Sequence, residues 1–143
     1  MKTRMPVSLS LMVVILALAG GCLIQEVAPP AAAAKPGKIK IACVGDSITA
    51  CGYPAVLNKM LGDKYEVLNL GVSGATLMKH GDFSYWMLGK IEEAGKFGPD
   101  IVTIMLGTND AKPHNYHQHP AEFQADYEAL IKALRNLDSK PKV

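Results

Sequence analysis

Three short apolar runs, Ile39–Val44, Tyr65–Leu70 and Asp100–Leu106, recur along the chain with a helical pattern after each. This alternation constrains the fold more than any other feature, because strand–helix–strand order is the signature of a parallel sheet. The third run is almost continuously apolar through Ile101, Val102, Ile104, Met105 and Leu106, as a strand covered on both faces should be. Crossovers between parallel strands are right-handed. With the first strand central, in the order 2-1-3, the first helix therefore covers one face of the sheet and the later helices the other. The expectation is a three-layer α/β/α, flavodoxin-like domain.

The helices between these runs carry their own punctuation. Tyr53-Pro54 opens the first, Val56, Leu57, Met60 and Leu61 are read as its apolar face, and Gly62 stops it. A second helix is expected over Ser84–Lys96, ended by Gly98-Pro99. The third starts near Pro120, with Phe123, Tyr127, Leu130, Ile131, Leu134 and Leu137 at intervals of three and four residues. Asp138–Val143 reads as a turn leading into a fourth strand.

The segment ahead of the first strand has a different character. Lys2 and Arg4 precede the apolar stretch Leu11–Ala19 and then Gly20 and Gly21, the pattern of a signal peptide over residues 1–21. A membrane span needs roughly 20 apolar residues, and this stretch is about half that. Cys22 after Ala19-Gly20-Gly21 is similar to a bacterial lipoprotein cleavage box, while Ala17-Leu18-Ala19 offers an ordinary export cleavage site. Residues 22–38, Pro- and Ala-rich, read as a linker, and residues 39–143 as the domain. An exported chain is expected: periplasmic, secreted or lipid-anchored at Cys22. The formal charge of +2 comes from Lys2 and Arg4, since Lys and Arg number 15 against 13 Asp and Glu. The remainder is balanced, which argues against a nucleic-acid partner. Cys43 and Cys51 are expected as free thiols, and no Cys/His spacing suits a zinc site.

Unusual residues gather in the loops that leave the carboxyl ends of the three strands, where parallel sheets bind their ligands. They are Gly45-Asp46-Ser47-Ile48-Thr49, Asn69-Leu70-Gly71-Val72-Ser73-Gly74-Ala75-Thr76 and Gly107-Thr108-Asn109-Asp110. Singly, each reads as a cap or a turn. Together and in this order they resemble the GDSL/SGNH family of serine hydrolases. That resemblance implies Ser47 as nucleophile and oxyanion donors from the backbone N–H groups of Ser47 and Gly74 and the side-chain amide of Asn109. It extends from Lys40 to Val143. Gly-Val-Ser-Gly-Ala-Thr, the Gly81-Asp82 pair near Trp86, and Asn109-Asp110-Ala111-Lys112-Pro113 look most like the sialate O-acetylesterase and carbohydrate acetylesterase branch. Such enzymes take a carbohydrate or small-molecule ester and need no cofactor. Trp86 reads either as core or rim packing or as a platform for a sugar.

A serine hydroxyl needs a base, which the family supplies from a late Asp-x-x-His. This sequence contains none: its histidines are His80, His114, His117 and His119, and no acidic residue stands three before any of them. The expectation is therefore an amino-terminal portion of the family domain, feeble as an esterase by itself, with Asp100–Leu106 left unpaired along one edge and prone to self-association. A substitute base from the His114–His119 loop is a second option. So are a non-catalytic exported acyl- or sugar-binding domain and, within the family, lysophospholipase or thioesterase activity.

Overall fold

The computed structural model describes residues 37–143; the expected signal segment, Cys22 and most of the linker lie outside them. Three parallel strands, β1 (Ile39–Gly45), β2 (Tyr65–Gly71) and β3 (Ile101–Met105), form one sheet in the order β2-β1-β3. The register runs from Ile39 opposite Tyr65 to Gly45 opposite Gly71, and Gly45 also stands opposite Met105. All three strands thus end at the same level. Residues alternate across the sheet, and Ala42, Val44, Leu70 and Val102 face the core that holds Ala94, Leu130 and Leu134.

That face is covered by α3 (Lys90–Phe97) and α5 (Glu122–Arg135), with the short helix α4 (Pro113–Tyr116) between them in the chain. The spacing of Phe123, Tyr127, Leu130 and Leu134 puts these side chains on one stripe of α5, and Leu137, just past its end, packs with them against the core. Full burial of Leu130 and Leu134 contributes about 1.5–3 kcal/mol each. Tyr85, also fully buried, donates its hydroxyl to the Leu70 carbonyl at 2.7 Å, so its polar end is satisfied inside the core. Burial pushes its pKa well above the ordinary tyrosine value.

The other face carries α1 (Ser47–Ala50) and α2 (Tyr53–Leu61). Tyr53 Oη lies 3.4 Å from Thr103 Oγ1 on β3, and Pro54 is buried beneath the helix. The apolar face expected for α2 is narrower than its composition suggests. Val56 is 59% and Met60 80% exposed, because Tyr53, Leu57 and Leu61, four residues apart, form the contact line and the other two lie on its shoulder.

The helix expected over Ser84–Lys96 divides. Tyr85–Met87 form a single 3₁₀ turn, and α3 starts only after Gly89, whose φ of +66° breaks the helical path. Trp86 sits in that turn. Its indole N–H donates to Leu77 O at 2.9 Å and Lys79 Nζ stands 4.7 Å from its ring centroid, so packing, not a free platform, describes it. Cys43 is buried and Cys51 exposed, both as free thiols.

The edge of β3 is also less bare than expected. Val102 N–H donates to Lys142 O at 2.7 Å and Lys142 N–H to Asp100 O at 2.9 Å, with Ile101 and Lys142 paired in parallel. Asp100–Leu106 is therefore not wholly unpaired, because the turn after α5 returns the chain to the start of β3.

A close backbone approach fits α1 onto the end of β2. A Cβ at Gly71 would lie 2.2 Å from Ala50 N, so only glycine lets α1 seat against the end of β2. Gly71→Ala should cost about 1–3 kcal/mol through overpacking against backbone. A urea midpoint unchanged by the substitution would show that α1 does not rest there.

Candidate active site

Three loops rise from the level carboxyl ends of β1, β2 and β3, and hydrogen bonds lock their bases together. Val72 N–H donates to Gly45 O at 3.0 Å and Asp46 N–H to Met105 O at 3.3 Å. Asp46 is fully buried and caps α1, its Oδ1 accepting from Ile48 N–H at 2.9 Å. Ser47 follows as the first residue of α1, half-buried just beyond the end of β1.

Gly74 occupies the third position of a turn closed by Ala75 N–H donating to Val72 O at 3.1 Å, with φ of +86°. A type II turn demands that conformation and glycine supplies it. The Gly74 N–H itself takes no part in closing that turn. Asn109 belongs to the third loop, yet its Nδ2 donates to Ala75 O at 3.0 Å in the second. A primary amide has two N–H bonds, and one of them anchors Asn109 to the Gly74 loop. The structure thus places Ser47, Gly74 and Asn109 on adjacent strand ends and links two of their loops directly.

Further residues hold this arrangement and escaped the sequence reading. Asp110, fully buried, accepts Leu77 N–H at 2.8 Å and Met78 N–H at 2.7 Å on its two oxygens. Asn115 donates to Asn109 O and to Asp82 Oδ1, both at 2.9 Å, and accepts Asp82 N–H at 2.9 Å. Asp126 accepts Lys79 N–H at 2.8 Å. The loop after β2 is therefore stapled by three side chains from beyond β3. Sequence offered little signal for these contacts, since each partner is more than 30 residues away; Asp110 was read as a turn residue and as part of the Asn109–Pro113 motif, not as a staple for the loop after β2.

Three of the four histidines, His80, His114 and His119, pair with carboxylates. His114 Nε2 lies 2.9 Å from Asp82 Oδ2, and the hydrogen bond from His114, followed by that from Asn115, holds the Asp82 carboxyl below its ordinary pKa. His80 and His119 both meet Glu122 and lower its pKa likewise, His80 more strongly. A groove of about 320 Å³ beside the third loop is lined by Gly107, Ala111, Tyr116, Pro120 and Phe123. A larger hollow, about 500 Å³, lies at the opposite end of the sheet around Ile39, Asp100 and Lys142, away from the loops where such sheets bind ligands.

Residues 43–143 match the GDSL-like Lipase/Acylhydrolase family. The chain belongs to that family. It is 46% identical over 112 residues to an acetylxylan esterase of Xylanibacter ruminicola, an alignment covering 72% of this chain and 23% of that protein. Among solved structures, an inhibitor-bound aryl esterase of M. smegmatis superposes with a TM-score of 0.58 at 20% identity, over 73% of this chain and 60% of the other; it shows the shared fold. A carbohydrate acetylesterase family member from Sinorhizobium meliloti gives a TM-score of 0.54 at 25% identity, over 69% and 55%. The chain thus spans less than a quarter of the acetylxylan esterase and a little over half of these structures. The order β2-β1-β3 and the placement of GDSL-family loops at its strand ends agree with that membership.

Proposed function

We propose that this GDSL-family chain carries the nucleophile and oxyanion donors of a carboxylic ester hydrolase that removes O-acetyl groups from a carbohydrate. The observation that carries the reading is the meeting of the Gly74 and Asn109 loops, through Asn109 Nδ2 and Ala75 O, beside the strand end that presents Ser47. In the proposed reaction Ser47 Oγ bonds to the acetyl carbonyl carbon as its proton passes to a base. The carbonyl π electrons move onto oxygen, and the resulting oxyanion is held by the N–H groups of Ser47 and Gly74 and by the Asn109 amide. Such fixed donors commonly supply the largest single catalytic contribution. Collapse expels the sugar hydroxyl, with a proton returned to it, and leaves an acetyl group on Ser47 for water to remove.

The similarity to an acetylxylan esterase and to a carbohydrate acetylesterase family member favours an acetylated sugar over a lipid or thioester substrate. The sequence-based reading of residues 1–21 as an export signal fits a protein meeting polysaccharide outside the cytoplasm. Acetate release from acetylated xylo-oligosaccharides tests the assignment, alongside aryl esters of increasing acyl length and a lysophospholipid. Preference for acetyl over long acyl groups is expected; faster release of long acyl chains would reject the carbohydrate reading.

A further inference from the structure

His80, His119 and Glu122 converge on one spot. His80 Nδ1 lies 2.8 Å from Glu122 Oε2, His119 Nδ1 lies 3.1 Å from Glu122 Oε1, and the two imidazole centroids are 5.5 Å apart. One donor atom from each residue falls within 4.8 Å of the other two. The backbone supports the cluster from both sides. Lys79 N–H, one residue before His80, is held by Asp126, while His119 N–H donates to Asn115 O at 3.2 Å and Glu122 N–H to His119 O at 3.1 Å.

Ligand atoms about 2.0–2.2 Å from a single ion, at tetrahedral or octahedral angles, stand roughly 2.8–3.6 Å from one another. The two His–Glu separations, to different oxygens of the Glu122 carboxylate, fall in that interval, and with all three donor atoms within 4.8 Å of one another side-chain rotation can draw them onto a single ion. Two imidazole nitrogens and one carboxylate suit zinc, nickel or copper(II), whereas calcium and magnesium take oxygen ligands. The His80 side chain is 69% and that of Glu122 36% exposed, leaving positions on the ion open to water. We propose that His80, His119 and Glu122 form a site for a divalent first-row transition metal, and that the bound ion clamps the loop after β2 onto the start of α5.

The full chain, prepared without a histidine tag, is titrated with zinc against a chromophoric chelator. One ion per chain is expected. His80→Ala, His119→Ala and Glu122→Gln should each weaken binding tenfold or more, and His117→Ala, an exposed histidine outside the cluster, should leave it unchanged. Circular dichroism separates loss of the site from loss of fold. Loaded with copper(II), the chain should show paramagnetic resonance couplings from two imidazole nitrogens, reduced to one in His80→Ala. Zinc should also slow amide exchange at Lys79–Asp82 in the parent and not in His80→Ala. Absence of saturable binding, retention of parent affinity by the folded His80, His119 and Glu122 variants, or an equal loss in His117→Ala would overturn the proposal.

Discussion

In a chain extended to the family's full length, replacing Ser47 by alanine should bring hydrolysis of an aryl acetate down to the rate of buffer alone. Ser47 is half-buried at the first turn of a short helix, where alanine is at least as good a helix former, so the fold should persist. Asn109→Ala should leave the nucleophile in place and lower turnover about 10²–10³-fold, the effect of removing one oxyanion donor. The two substitutions separate the roles: the first removes the covalent intermediate, the second slows its formation. Trapping with an activated phosphonate makes this visible, since mass spectrometry should find the adduct on Ser47 in the parent and in Asn109→Ala but not in Ser47→Ala. Activity retained by a Ser47→Ala protein with a native circular dichroism spectrum would refute the nucleophile assignment.

The second large effect is structural. Among the described residues, Asp110 alone offers a side chain to the buried amides of Leu77 and Met78, at 2.8 and 2.7 Å. Asp110→Ala leaves two donors unpaired in the core, at about 1–3 kcal/mol each. The sum is a large fraction of the 5–15 kcal/mol typical of a whole domain. Because Leu77 lies three residues beyond Gly74, the same substitution should disturb the Gly74 N–H and lower esterase activity even below the melting transition. Asp110→Asn retains one acceptor and should fall between parent and alanine. A urea midpoint for Asp110→Ala matching that of the parent would mean the loop after β2 is held by something else.

Much of this architecture was legible before any coordinates. Ile39–Val44 and Tyr65–Leu70 read as strands because β-branched and aromatic residues cluster between turn signals, and β1 and β2 end one residue later than read, at Gly45 and Gly71. Pro54 and Gly62 bounded α2 correctly because proline suits a first helical turn and glycine a left-handed stop. The loops bearing Ser47, Gly74 and Asn109 were placed at strand ends by the same local logic. Where that logic failed, the competing influence was local or tertiary. The 3₁₀ turn at Tyr85–Met87 arises where Tyr85 is drawn inward to Leu70 O and Trp86 to Leu77 O. The exposure of Val56 and Met60 follows from which line of α2 meets the sheet.

The order of strands and helices, the break points marked by proline and glycine, and the residue types offered at each strand end are properties of neighbouring residues, and the sequence by itself determined them. The pairings between distant side chains were decided only by the tertiary structure. Glu122 meets His80 across 42 residues and Asp110 meets Leu77 across 33, and no periodicity records such a meeting. Those contacts exist because parallel strands with right-handed crossovers bring loops from separate parts of the chain to one end of the sheet, where buried amides and charges must find partners or be excluded.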